Sequence, residues 1–267
     1  MGIVLLMFLG SFAGCSRENS VLVDSPVSSP GNQGKIRIYM TDDPVVFDAV
    51  NIVVTRVEVH KAGNDSTSGW VTIDSTTRTY NLLQLTNGAS VVLGEGILDA
   101  GKYTQIRLIV GEGSTVVLGG ASFQLKIPSG METGLKLSHQ FDIQANALYE
   151  LMIDFDAGRS IHLDGPGTYI LRPVLRVQAL QTSGSISGTV NPVSARAAIS
   201  TTAGADSVVT FADTTSGFFK LMPLPGGASY NLKIVPRDTT YRDTTLTGVS
   251  VVAKQNTDVG TIVLRPK

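Results

Sequence analysis

From residue 35 onward apolar residues recur at every second position, the spacing of strands with one buried face. The stretch Ala49-Val-Asn-Ile-Val-Val-Thr-Arg-Val-Glu-Val-His60 is the longest example, and no run of ten or more residues carries helical spacing. The chain is therefore expected to be all-β, with strands over 35–40, 49–60, 70–73, 103–110, 122–127, 148–155 and 169–180. Gly94-Glu-Gly96 and Gly111-Glu-Gly113 read as turns between them, because glycine supplies the positive φ that tight turns need. Asn81-Leu-Leu-Gln-Leu-Thr86 reads as a single helical turn or a short strand. Gly101-Lys-Tyr103, Gly167-Thr-Tyr169 and Gly227-Ala-Ser-Tyr230 repeat one local design, a glycine turn followed by an aromatic that opens a strand.

The N-terminal segment differs in kind. Ile3 to Leu9 is an apolar run too short to cross a bilayer but suited to a signal-peptide core. Ala13 and Gly14 offer small residues for cleavage, and Cys15 is the only cysteine in 267 residues. This pattern resembles a bacterial lipobox. The resemblance implies that residues 1–14 are a lipoprotein signal peptide and that Cys15 is acylated, with two or more chains giving stable anchoring. Ser16 after the cysteine favours an outer membrane by the sorting pattern of such proteins. Residues 15–33, polar and interrupted by Pro26 and Pro30, bury too little apolar surface to fold and read as a lipidated tether.

The rest of the chain has length for one large or two ordinary domains. With no second cysteine there is no disulfide, so an exported protein of this kind must rest on hydrophobic cores. A formal net charge of -1 supplies no long-range field and argues against a nucleic-acid partner. Composition shifts at Gln181-Thr-Ser-Gly184, dividing a β-rich domain over 34–181 from a second over 184–267.

In the second stretch the phrases Gly188-Thr-Val190, Gly217-Phe-Phe-Lys-Leu221, Leu224-Pro-Gly-Gly-Ala-Ser-Tyr-Asn-Leu232, Gly248-Val-Ser-Val251 and Gly260-Thr-Ile-Val-Leu264 follow one another. Their order resembles the carboxypeptidase-regulatory-like module. That resemblance implies a seven-stranded sandwich of transthyretin-like or carbohydrate-binding-like fold, with Leu221, Leu224 and Tyr230 in its core. In the first stretch Tyr39-Met-Thr-Asp-Asp-Pro44, Gly69-Trp-Val-Thr-Ile73, Ile153-Asp-Phe-Asp-Ala-Gly-Arg-Ser160 and Tyr169-Ile-Leu-Arg-Pro-Val-Leu-Arg-Val177 resemble the bacterial lipoprotein family called domain of unknown function 4382. The resemblance implies export and lipid anchoring ahead of a β-rich domain, and no particular activity.

No nucleophile elbow, phosphate-cradling loop, His-Glu-x-x-His or spaced Cys/His set is present. His60 ends a predicted strand, whereas His139 and His162 fall in loop-like context. The acidic residues are more interesting. In a strand, Asp154 and Asp156 would share a face about 7 Å apart, with Phe155 in the core. With Asp42 and Asp43 they could form an all-oxygen Ca²⁺ site, or a carboxylate pair for glycan hydrolysis. The plainer reading has Asp156 opening the turn at Ala157 by accepting backbone N–H bonds, and Asp43 doing the same before Pro44.

Arg56, Glu58 and His60 share one strand face, as do Gln105 with Arg107, Glu150 with Asp154, and Arg172 with Arg176 and Gln178, so cross-strand ion pairs are expected where such strands meet. Trp70, the single tryptophan, is a candidate glycan contact but is expected to pack beside Tyr80 or Tyr103. The sequence thus favours a lipid-anchored cell-envelope protein with a structural, adhesion or partner-binding role, facing a protein or glycan partner. A carbohydrate-binding lipoprotein and an envelope glycan hydrolase are the alternatives. Aromatic content of 6% weighs against the first and the missing motifs against the second.

Overall fold

The computed structural model describes residues 31–128 and 134–267, so the expected signal segment, Cys15 and most of the tether lie outside the described residues. The chain is almost entirely β, as the period-two pattern requires. The first part consists of β1 (Gln33–Asp42), β2 (Ala49–Lys61), β3 (Trp70–Asp74), β4 (Arg78–Asn81), β5 (Val91–Asp99), β6 (Gly101–Val110), β7 (Thr115–Leu118), β8 (Ala121–Lys126), β9 (Leu135–Ile143), β10 (Leu148–Phe155), β11 (Ile161–Leu163), β12 (Tyr169–Leu171) and β13 (Leu175–Ala179). A four-stranded sheet in the order β13-β10-β1-β5 faces a larger one in the order β11-β12-β8-β7-β2-β6-β9, and β3 and β4 also pair with β2.

β2 is the spine of the larger sheet. Its first half pairs with β7 and β4, and its second half with β6 and β3. The register against β6 shifts between Val54 and Arg56. That irregularity moves the buried positions from Val50, Ile52 and Val54 to Val57 and Val59, leaving Arg56, Glu58 and His60 on the opposite face. In the facing sheet Ile36, Ile38 and Met40 of β1 lie beside Leu151, Ile153 and Phe155 of the parallel β10, all buried. Burial of each such side chain contributes about 1.5–3 kcal/mol.

The second part comprises β14 (Ser183–Asn191), β15 (Ala198–Ala203), β16 (Asp206–Phe211), β17 (Phe218–Pro225), β18 (Ala228–Val235), β19 (Thr244–Val251) and β20 (Asn256–Val263). These seven strands form a three-stranded sheet, β17-β14-β20, over a four-stranded one, β16-β15-β18-β19. Leu221, Leu224 and Tyr230 are buried between them, in the places expected. The cores are separate, one spanning Ile36 to Leu171 and the other Ile186 to Leu264.

The glycine-tyrosine design holds in its geometry. Gly101, Gly167 and Gly227 all have positive φ, and two of the tyrosines reach back to an earlier carbonyl: Tyr103 Oη donates to Asp99 O at 3.1 Å and Tyr230 Oη to Pro225 O at 2.7 Å. The segment after Asn81 is a 3₁₀ turn, Leu82–Leu85, whose first free N–H, at Leu83, is accepted by Asn81 Oδ1 at 3.2 Å.

Other expectations need correction. Gly94 and Gly96 are not a turn but lie inside β5, paired with Ile38 and Ile36. A Cβ on Gly94 would come within 3.1 Å of Ile73 Cγ2 and Asp74 Cβ, so the glycine lets β3 lie close against this strand. His139 and His162 lie in strands β9 and β11 rather than in loops. Among the described residues no helix is long and apolar enough to cross a membrane.

Candidate functional site

The ends of β1 and β10 lie side by side, which brings the acidic phrases at 42–43 and 154–156 together. Beyond β10 the chain makes one helical turn, α1 (Ala157–Ser160), and Asp156 caps it by accepting the Arg159 N–H at 2.8 Å. The plainer reading of Asp156 therefore describes what this carboxylate does. Because β10 ends at Phe155, Asp156 is not the second member of a strand-face pair, whereas Phe155 does enter the core.

Asp42 continues the inward-facing row of Ile38 and Met40. Its Oδ1 accepts the Ala157 N–H at 3.0 Å, while its Oδ2 is buried without a partner among the described residues. Burial pushes this carboxyl up to about 9, so it is a neutral acid at pH 7. Asp43 does not serve the local turn before Pro44. Its Oδ1 accepts the N–H of Val209 in β16, 166 residues away, at 3.2 Å. Burial, and next the neighbouring Asp154 charge, raise Asp43 to about 8.

Asp154 stands opposite Arg176 of β13, and Arg176 Nη2 donates to its Oδ2 at 2.6 Å. Both side chains are largely buried, and Asp154 Oδ1 has no partner among the described residues. Burial raises this carboxyl too, against the opposing pull of Arg176. Asp43, Asp154, Asp156 and Arg176 then line a gap of about 30 Å³, closed on the far side by Asp206 and Ser207 of β16. That volume suits one small occupant the size of a water. Among the described residues no three His, Cys, Asp or Glu side chains are arranged to hold a metal ion, so the Ca²⁺ expectation gains no geometry here. Asp42 points to the opposite side of the strand from Asp154 and does not line the gap.

A second tie joins the two cores nearby. Thr41 Oγ1 lies 2.8 Å from Leu85 O and 2.9 Å from Ala89 O, fastening the 86–89 turn to β1. Asn87 at its apex has φ 55°, the left-handed conformation that asparagine tolerates. Its Oδ1 accepts the Lys220 N–H at 2.6 Å and its Nδ2 donates to Phe218 O at 3.2 Å, so one side-chain amide pairs with edge strand β17 as a neighbouring strand would. The Asn87-Gly88 dipeptide announces a turn, but nothing nearby in sequence announces its partner.

Trp70 lies elsewhere, on the outer face of the larger sheet. It packs against His60, with ring centroids 5.0 Å apart, and under the Arg107 guanidinium at 4.0 Å, rather than beside Tyr80 or Tyr103. Its Nε1 donates to Ser66 O at 3.2 Å. Arg107 Nε in turn donates to the buried Glu58 at 2.6 Å, and Arg56 lies 3.4 Å from the same carboxylate. Both His60 nitrogens are engaged, by Asp65 O and Thr104 Oγ1. The expected cross-strand ion pairs are present here, and one ring face of Trp70 is taken by a cation.

The family model described as "Domain of unknown function (DUF4382)" matches residues 33–173, just over half of the chain. The chain belongs to this family. The matched DUF4382 region contains Asp42, Asp43, Asp154, Asp156 and Trp70, while Arg176 and the closing residues of β16 lie beyond it. No curated protein matches the chain.

Similar solved structures include a type II cohesin–X-dockerin complex from Acetivibrio cellulolyticus (21% identity, 31% of this chain and 58% of that one, TM-score 0.25). They also include the Bacillus anthracis TIE protein (10%, 87% and 34%, 0.23) and the shaft pilin SpaA from Lactobacillus rhamnosus GG (9%, 88% and 98%, 0.26). The chain spans a little over half of the first and a third of the second. TM-scores this low carry no functional argument.

Proposed function

We propose that this DUF4382 protein is a lipid-anchored component of the cell envelope, attached through Cys15 at an outer membrane, whose β-sandwiches serve a structural, adhesion or partner-binding role without catalysis. The observation behind this reading is where the ionisable side chains go. Asp154 holds Arg176, Glu58 holds Arg107, Asp156 caps α1, His60 is fixed through both ring nitrogens, and Asp43 reaches the other sandwich. A catalytic acid or base needs a free approach to a reacting atom. These groups tie strand to strand and sandwich to sandwich instead, as a molecule that bears contact requires.

The seven-stranded second sandwich, with its resemblance to carboxypeptidase-regulatory-like modules, supports a second contact module. The near-zero net charge supports a protein or glycan partner over nucleic acid. Labelling cells that express the chain with an alkynyl fatty acid should tag the wild type and not Cys15→Ala, and the untagged variant should leave the membrane fraction. A glycan array and a surface-protein capture with the full chain then identify the partner. Equal tagging of Cys15→Ala sinks the anchor, and turnover of an envelope glycan lost in Asp154→Asn sinks the contact role.

A further inference from the structure

Asp43 and Asp154 are both nearly buried at a seam between two independent cores. Four carboxyl groups line the gap there, Asp43, Asp154, Asp156 and Asp206, against two guanidiniums, Arg159 and Arg176. Arg159 is mostly exposed and lies 3.6 Å from Asp156, so among the described residues Arg176 is the one cation buried in the gap. Tyr230 of β18 also interacts electrostatically with Arg176, and Asp42, on the inner side of β1, feels the charge of Asp43. One buried arginine neutralises one buried carboxylate. The second carboxylate of the Asp43–Asp154 pair is nearly buried, with no more than a water-sized gap and a like charge beside it, and among the described residues Asp154 Oδ1 receives no hydrogen bond. Such a pair is stable only if it keeps a proton.

We propose that a proton retained by the Asp43–Asp154 pair latches the second sandwich onto the first, making their docking a pH-sensitive joint. The joint comprises Asp43 accepting the Val209 N–H, Asp154 held by Arg176, and Asp206 and Ser207 at the start of β16 lining the same gap. When the sandwiches separate, Asp43 regains water on the side that β16 covers, and its carboxyl falls back toward the ordinary carboxylate range from the raised value that burial and the Asp154 charge impose when docked. Docking is therefore strongest in acid. It weakens as pH rises, by up to about tenfold per pH unit, because separation releases the proton, and levels off once the docked pair has also lost it.

The test is hydrogen exchange at the Val209 amide in the full chain, expressed as protection relative to the intrinsic rate at each pH. Wild-type protection should fall from pH 5 to pH 8 and then level off. In Asp43→Asn, which keeps an acceptor for Val209 but cannot titrate, protection should be flat. Asp206→Asn, an exposed change that removes one repelling charge, should show a smaller fall, and it carries the test if Asp43→Asn does not fold. Protection in wild type that is independent of pH, or an equal fall in the variants, overturns the proposal. So does saturable protection of Val209 by CaCl₂ at pH 7 that is lost in Asp154→Asn, which would make the balancing charge a cation instead of a proton.

Discussion

Asp42 offers the sharpest quantitative check on the physics of the first sandwich. Its carboxyl is 4% exposed, takes one hydrogen bond from Ala157 N, and leaves Oδ2 unpartnered among the described residues. Folded, it stays protonated to about pH 9; unfolded, it ionises above its ordinary value of 3.8. A group raised on folding contributes stability that is complete below the unfolded value and is lost progressively as pH climbs to the folded one. Each pH unit in that window costs about 1.4 kcal/mol, so from pH 4 to pH 7 the wild type loses about 4 kcal/mol through this residue.

Asp42→Asn keeps the shape and the acceptor for Ala157 but has no proton to lose. At pH 4 it should be less stable than wild type by about 1–3 kcal/mol, because its buried NH₂ lacks acceptors. At pH 7 the order should reverse. Urea unfolding at half-unit steps from pH 4 to pH 8 measures the difference directly, and the titrations of Asp43 and Asp154, common to both proteins, cancel in it. Parallel stability curves for variant and wild type would refute the assignment of Asp42 as a neutral buried acid.

Three further outcomes follow from the contacts. Asn87→Ala removes the amide that pairs with Phe218 O and Lys220 N, and should weaken the seam by about 1–3 kcal/mol, read as faster hydrogen exchange at Lys220 with little change in the core of β10. Arg107→Ala leaves Glu58 buried without its main partner and should cost about 3–5 kcal/mol in urea unfolding, while Glu58→Gln in the same background should recover part of the loss. Gly94→Val forces a side chain against Ile73 and Asp74 and should destabilise by about 1–3 kcal/mol, whereas the same change at Gly63, with open space around its Cβ position, should act only through its positive φ.

The features that sequence made legible are those written in local periodicity. Alternation predicted β2, β6 and β10 closely, because burying one face of a strand requires an apolar residue at every second place. It also placed Glu58 and Arg107 on polar faces, which adjacent pairing then joined. β5 was missed for a physical reason: Gly94 and Gly96 stand where β3 leaves no room for side chains, so close packing removed the apolar signal that marks a strand. β9 was missed although Leu135, Leu137, Phe141 and Ile143 alternate with polar residues across it and the last two are buried; only His139 interrupts the apolar row.

The acidic phrases were visible as candidates, but their roles depend on partners far along the chain. Asp43 meets Val209 and Asn87 meets Lys220 across 166 and 133 residues, and neither contact carries a periodic or turn signature. A buried carboxyl also reads identically in sequence whether it holds a proton, an arginine or a metal. What separates these cases is the count of charges and hydrogen bonds around it, and that count exists only once the two sandwiches have closed over Asp154.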